Sequence, residues 1–132
     1  MAVSPLSLEW QGDFKFASPE GLPPIQLDSS NHDVPSPMQA LAYGLMGCMG
    51  MDVAMILQKG RHDLTALSVH FEGDRAETQP RRYTRMHIRF DVTGPVPEEA
   101  VARAIKLSHE TYCSVSNSLR PDIDFTTSYT IR

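Results

Sequence analysis

Between Met38 and Leu57 the chain carries only two strongly polar side chains, Gln39 and Asp52, and this segment constrains the fold more than any other. Ser36 is a candidate N-cap, Pro37 suits the first helical position, and Gln39 stands three residues after the cap, where it closes a capping box. The helix is expected to run to "LQKG", with Lys59 at the negative end of the dipole and Gly60 as a left-handed stop. About 23 residues at the helical rise give roughly 34 Å. Apolar side chains surround the axis, which leaves two environments. A bilayer would accept a segment of this length, but Asp52 would cost roughly 2.5–3.5 kcal/mol near its centre, and no second span exists. The expectation is therefore a helix buried on all sides by protein, with no membrane partner.

A chain of 132 residues fits one domain spanning 1–132, and has little material to wrap such a helix. An intertwined homodimer in which two of these helices pack through their glycines solves the problem. Gly44, Gly47 and Gly50 surround Cys48 in "GLMGCMGMD", and each should weaken the helix by roughly 1 kcal/mol relative to alanine. Close approach of a backbone or a substrate to the sulfur would repay that cost.

The flanking segments read as an α+β domain. "LSLEW", "FKF" and "IQL" alternate as three short strands, with "QGD" as a turn and "SPEGLPP" as a loop. "DSSNHDVPSP" is a polar connector into the helix. After Gly60, "ALSVHFE" and "RRYTRMHIRFDV" form a hairpin. Leu67, Val69 and Phe71 face one way, with Thr84, Met86, Ile88 and Phe90 inward on the second strand. Tyr83, Arg85, His87 and Arg89 face outward, where the basic row pairs with acidic neighbours across the sheet or offers a surface to an acidic partner. Residues 73–81 read as a charged, mobile loop. Pro97 with Glu98 and Glu99 starts a second helix. Val101, Ile105 and Leu107 or Ser108 form its inward stripe. Ser114, Ser116 and Ser118 suggest a break and restart that leaves Cys113 near a new helix start, and "DFTTSYTIR" closes with a strand. The order is βββ-α-ββ-α-β on a mostly antiparallel sheet.

A net charge of −4 argues against electrostatic binding to nucleic acid or an anionic membrane. No basic region followed by an apolar run opens the chain, so a cytoplasmic protein without a secretory signal is expected. Two cysteines, Cys48 and Cys113, are too few and too scattered for a disulfide scaffold. The five histidines, at 32, 62, 70, 87 and 109, lie on different elements, and no Cys-x-x-Cys or His-x-x-x-His spacing supports a metal site.

Taken together, "SPMQALAYGLMGCMGMDVAMILQKGR", "YTRMHIRFDVTG" and "LSHETYCSVSNSL" resemble the OsmC/Ohr superfamily of osmotically induced peroxidases and organic hydroperoxide resistance proteins. The likeness is greatest to its YhfA-like branch and covers nearly the whole chain, most weakly before Val34. It implies an OsmC-like fold, an intertwined homodimer with sites at the interface, and a two-cysteine thiol peroxidase needing neither metal nor haem. Cys48 would attack an organic hydroperoxide, Cys113 would resolve the product as a disulfide, and a dithiol such as a lipoylated protein would supply the reductant. Tyr43, Met46 and Met49, with the facing subunit, would form the apolar substrate pocket. The family's Glu after the helix-start Pro is replaced here by Met38, and residues 1–60 contain no arginine to activate the thiolate. Arg81 or Arg82, from the charged loop, and His109, near Cys113, are candidate substitutes.

From the residues alone other roles stay open. Cys48 reads as a packed core thiol as well as a reactive one. Gln39 reads as a cap as well as a modulator, and Asp52 as a hydrogen-bonded structural group as well as a tuner of the thiol. A second function class therefore stands beside the enzyme: a non-catalytic or thiol-sensing protein that binds a small hydrophobic ligand in the dimer cleft.

Overall fold

A computed structural model describes residues 1–30 and 33–132. The expected connector's Asn31 and His32 lie outside the described residues. Six strands and two α-helices follow one another as β1 (Glu9–Gly12), β2 (Lys15–Ala17), β3 (Gln26–Asp28), α1 (Pro37–Lys59), β4 (Ala66–Arg75), β5 (Tyr83–Thr93), α2 (Glu98–Leu107) and β6 (Asp124–Ile131). This is the α+β order read from the sequence. The chain divides into two compact units, Met1–Tyr43 and Gly44–Arg132.

In the first unit β1, β2 and β3 form an antiparallel sheet in that order. The strands begin one to three residues later than their alternation suggests, because Gly12 and Asp13 turn the chain with consecutive positive φ of 101° and 47°. That turn sets the register, and Leu6 and Leu8 precede it as exposed residues outside any strand. At the helix start the capping box forms as read. The Gln39 amide donates to the Ser36 hydroxyl at 3.2 Å, and the Ser36 amide donates back to Gln39 Oε1 at 3.0 Å.

In the second unit β4, β5 and β6 form the sheet, with β4 antiparallel and β6 parallel to the central β5. The parallel pair follows from the α2 crossover between β5 and β6. Met86, Ile88, Phe90 and Val92 of β5 are buried to 1% exposure or less, which makes this strand the centre of the core. Its first turn departs from the expected alternation. Pairing skips Thr84, with Asp74 opposite Arg85 but Arg75 opposite Tyr83. This bulge reverses the phase, so Tyr83 is buried and meets Phe71 edge-on at 5.5 Å between ring centroids, while Thr84 is only half-buried. The loop expected over 73–81 is also shorter, since β4 runs on to Arg75. The outward row is satisfied in three ways. Arg85 pairs with Asp74 across the hairpin at 2.7 Å, Arg89 with Asp91 on its own strand, and His87 bonds Thr126 and Ser128 of β6.

Helix α1 ends at Lys59 as expected, but the left-handed residue lies one position beyond Gly60. Arg61, at φ 62°, takes the left-handed position in place of Gly60. The His62 amide then reaches the Leu57 carbonyl at 3.1 Å and the Arg61 amide the Gln58 carbonyl at 2.9 Å, the two bonds of a Schellman ending. Burial on all sides is not met within one chain. From Gly44 onward Leu45, Met49, Gly50, Val53 and Leu57 are buried at helical spacing, whereas Met51 and Met55 are 74% and 46% exposed. Gly50 has a packing reason, since a Cβ there would lie 3.1 Å from Val69 Cγ2 of β4. Around Gly44 and Gly47 there is open space. By length and composition this helix could also cross a membrane, but its apolar residues divide into a core face and an exposed face.

Candidate functional site

Cys48 sits midway along α1, and Asp52 follows it by one turn, so both point to the same side of the helix. The opposite wall comes from the end of α2. There the chain winds into a π-helical turn, Ser108–Tyr112, closed by the Cys113 amide donating to the Ser108 carbonyl at 2.7 Å. In a regular α-helix residues five apart would be about 140° out of phase. The wider turn brings Ser108 and Cys113 over one another, and such turns recur at functional sites.

This arrangement gathers a cluster. The Cys48 thiol, the Cys113 thiol and a carboxylate oxygen of Asp52 all lie within 4.8 Å of one another. The Ser108 hydroxyl donates to Asp52 Oδ2 at 2.8 Å. Both cysteines are free thiols, Cys48 half-buried and Cys113 fully buried. The Ser116 amide, opening a short 3-10 turn at Ser116–Ser118, donates to Cys113 Sγ at 3.2 Å. The restart read from the serines is thus present, and its first amide donates to the Cys113 sulfur. Burial pushes the Cys113 thiol above its ordinary pKa, and the neighbouring Cys48 adds to the rise while Ser116 opposes it. No cation is among these influences.

The other sequence candidates scatter. Gln39 is occupied as the cap of α1. Arg82 donates to the Tyr83 carbonyl at 3.0 Å and pairs with Asp122 at 3.7 Å, so its charge is engaged at the hairpin end. His109 stacks on Phe125 with ring centroids 4.3 Å apart. It lines a cavity of about 490 Å³ with Met86, Ser116, Asn117 and Arg120, and its Nδ1 is buried without a hydrogen-bond partner. Of the three proposed substrate contacts, Tyr43 is 64% exposed, Met46 is half-buried and Met49 is fully buried in the core. Two participants escaped the sequence reading. Ser108 entered only as one option for a core stripe, and Ser116 only as part of a break. The serine spacing after Cys113 was the available signal, but the π turn that aims Ser108 at Asp52 leaves no mark in periodicity.

Comparison with known proteins places the fold. The family described as "OsmC-like protein" matches residues 30–128. Protein YhfA of Escherichia coli strain K12 is 40% identical over 109 residues, covering 81% of each chain. Among solved structures, a hypothetical protein from Aquifex aeolicus VF5 superposes with a TM-score of 0.90 at 30% identity, over 100% of this chain and 98% of the other. An organic hydroperoxide resistance protein from Elizabethkingia anophelis shares the fold at a TM-score of 0.75 and 14% identity, over 99% of both chains. The motifs around the two cysteines, the strand order and these matches lead to one conclusion: the chain belongs to the OsmC-like protein family.

Proposed function

We propose that this protein is a thiol-dependent peroxidase that reduces organic hydroperoxides. The observation that carries the reading is the pair of free thiols within 4.8 Å, one partly open and one buried. Cys48, the accessible member, attacks as thiolate at the terminal peroxide oxygen. The O–O bond breaks, the alkoxide leaves with a proton as alcohol, and Cys48 becomes a sulfenic acid. Cys113 then displaces hydroxide from that sulfur, water departs, and a Cys48–Cys113 disulfide remains. A dithiol, such as a lipoylated protein, returns both thiols while being oxidised to its own disulfide. Burial raises the pKa of the Cys113 thiol while the Ser116 amide opposes that rise by donating to the sulfur, so Cys48, the more accessible thiol, is assigned the attack and Cys113 the resolving step.

Residues 1–132 act in this reading as a single OsmC-like domain in the cytoplasm, paired as a homodimer through the exposed side of α1, where Met51 and Met55 lack cover within one chain. A second subunit there would also close an apolar pocket over Cys48. The absence of an arginine in residues 1–60 favours one alternative, a thiol-sensing or ligand-binding protein using the same cleft.

The test is to treat reduced, metal-free protein with one equivalent of cumene hydroperoxide and follow intact and peptide masses. A Cys48–Cys113 disulfide forming within seconds to minutes, and absent from Cys48→Ser, supports the peroxidase. Two unreacted thiols would sink it in favour of ligand binding.

A further inference from the structure

We infer that the reduced site is also a binding site for a thiophilic divalent cation, zinc above all, held by Cys48 Sγ, Cys113 Sγ and one carboxylate oxygen of Asp52. The inference uses the same residues as the peroxidase reading but stands on their geometry and not on that chemistry. The three donor atoms lie within 4.8 Å of one another, so each needs only a small side-chain rotation to reach a common centre at about 2.0–2.3 Å. Cys48 and Asp52 supply a chelating pair one helical turn apart on α1, and Cys113 closes the site from the loop after the π turn. Two thiolates and a carboxylate suit zinc, whose tetrahedral sites accept sulfur and oxygen and, with three protein ligands, keep a fourth position open.

A surrounding layer of hydrogen bonds supports the ligands. Ser108 donates to Asp52 Oδ2 at 2.8 Å and orients the carboxylate, while the Ser116 amide at 3.2 Å from Cys113 Sγ stabilises a thiolate. Asp52 has no necessary part in thiol–disulfide chemistry, and its place beside both sulfurs gains a role when a cation sits between them. Binding is charge-balanced: the cation displaces up to two thiol protons to solvent, and no electron is transferred. A bound cation masks both sulfurs and makes them unavailable to peroxide, so metal and oxidant compete for one site.

Titration of the reduced full-length protein with cobalt(II) under argon tests the site, because thiolate-to-cobalt charge transfer and intense visible ligand-field bands report sulfur ligation and tetrahedral geometry directly. The expected result is saturation at one cobalt per chain, with the bands displaced by zinc. Cys48→Ser and Cys113→Ala should each remove a large part of the charge-transfer intensity. Asp52→Asn should keep the thiolate bands but bind more weakly, and Ser108→Ala should weaken binding about 10-fold. Far-ultraviolet circular dichroism confirms that each variant is folded. Absence of the bands in the wild type, or bands of undiminished intensity after loss of either cysteine, overturns the inference. Affinity unchanged in Asp52→Asn overturns it as well. The two readings fail separately: disulfide formation in chelated protein without cobalt bands leaves the peroxidase alone, and cobalt bands without disulfide formation leave the metal site alone.

Discussion

Replacing Ser108 by alanine isolates the hydrogen bond that ties the end of α2 to α1. Ser108 is fully buried, and its hydroxyl makes a partly buried hydrogen bond of 2.8 Å to Asp52 Oδ2. A hydrogen bond to a charged group contributes about 1.5–3 kcal/mol, and removal of the donor leaves the acceptor to be rehydrated in a confined space. Partial exposure of Asp52 places the loss at the lower end, and alanine's better helix propensity offsets up to about 0.5 kcal/mol. The net expectation is a destabilisation of about 1–2 kcal/mol. Urea unfolding at fixed protein concentration should show a lower midpoint with an unchanged m-value. A double-mutant cycle with Asp52→Ala should return a coupling energy of about 1 kcal/mol or more, since the two side chains are in direct contact. A Ser108→Ala midpoint indistinguishable from wild type, or a coupling near zero, would refute the claim that this pair fastens the site.

Gly94, at φ 132°, would put a Cβ against the Asp63 carbonyl oxygen, so Gly94→Ala should cost more than about 2 kcal/mol and lower the thermal midpoint markedly. Met49→Ala removes a fully buried side chain from α1 and should cost about 2–5 kcal/mol in chemical unfolding, whereas a value under 1 would place Met49 at a collapsible pocket wall. Light scattering should find the wild type dimeric and Met51→Glu with Met55→Glu monomeric; a monomeric wild type would remove the proposed dimer. For pH, the raised Cys113 thiol keeps its proton in the folded state after the unfolded thiol has lost it near about 8.5. Its contribution to stability is therefore full below that value and falls as pH rises toward the folded pKa. Comparison of wild type with Cys113→Ala across that window should show the difference in stability shrinking with pH.

Much of the architecture was legible because it depends on neighbours in sequence. The α1 start follows from Ser36, Pro37 and Gln39, whose bonds reach only three residues, and its length from an unbroken apolar run. The βββ-α-ββ-α-β order follows from alternation and turn residues, and the family from motifs around two cysteines. Local patterns were silent where distant segments settled the outcome. Tyr83 turned inward because the β4–β5 register slips by one residue at Asp74, a fact of pairing that neither strand encodes alone. Arg61 took the left-handed place that Gly60 was free to take, because the Schellman bonds to Leu57 and Gln58 close on that geometry. Above all, the sequence by itself determined that there are two cysteines and that one lies on an apolar helix. Only the tertiary structure decided that 65 positions of separation close to within 4.8 Å, with an Asp52 oxygen equally within that distance of both sulfurs and Ser108 bonded to that carboxylate. The reason is that helix packing and a π turn convert distance along the chain into contact, and neither is carried by the spacing of residue types.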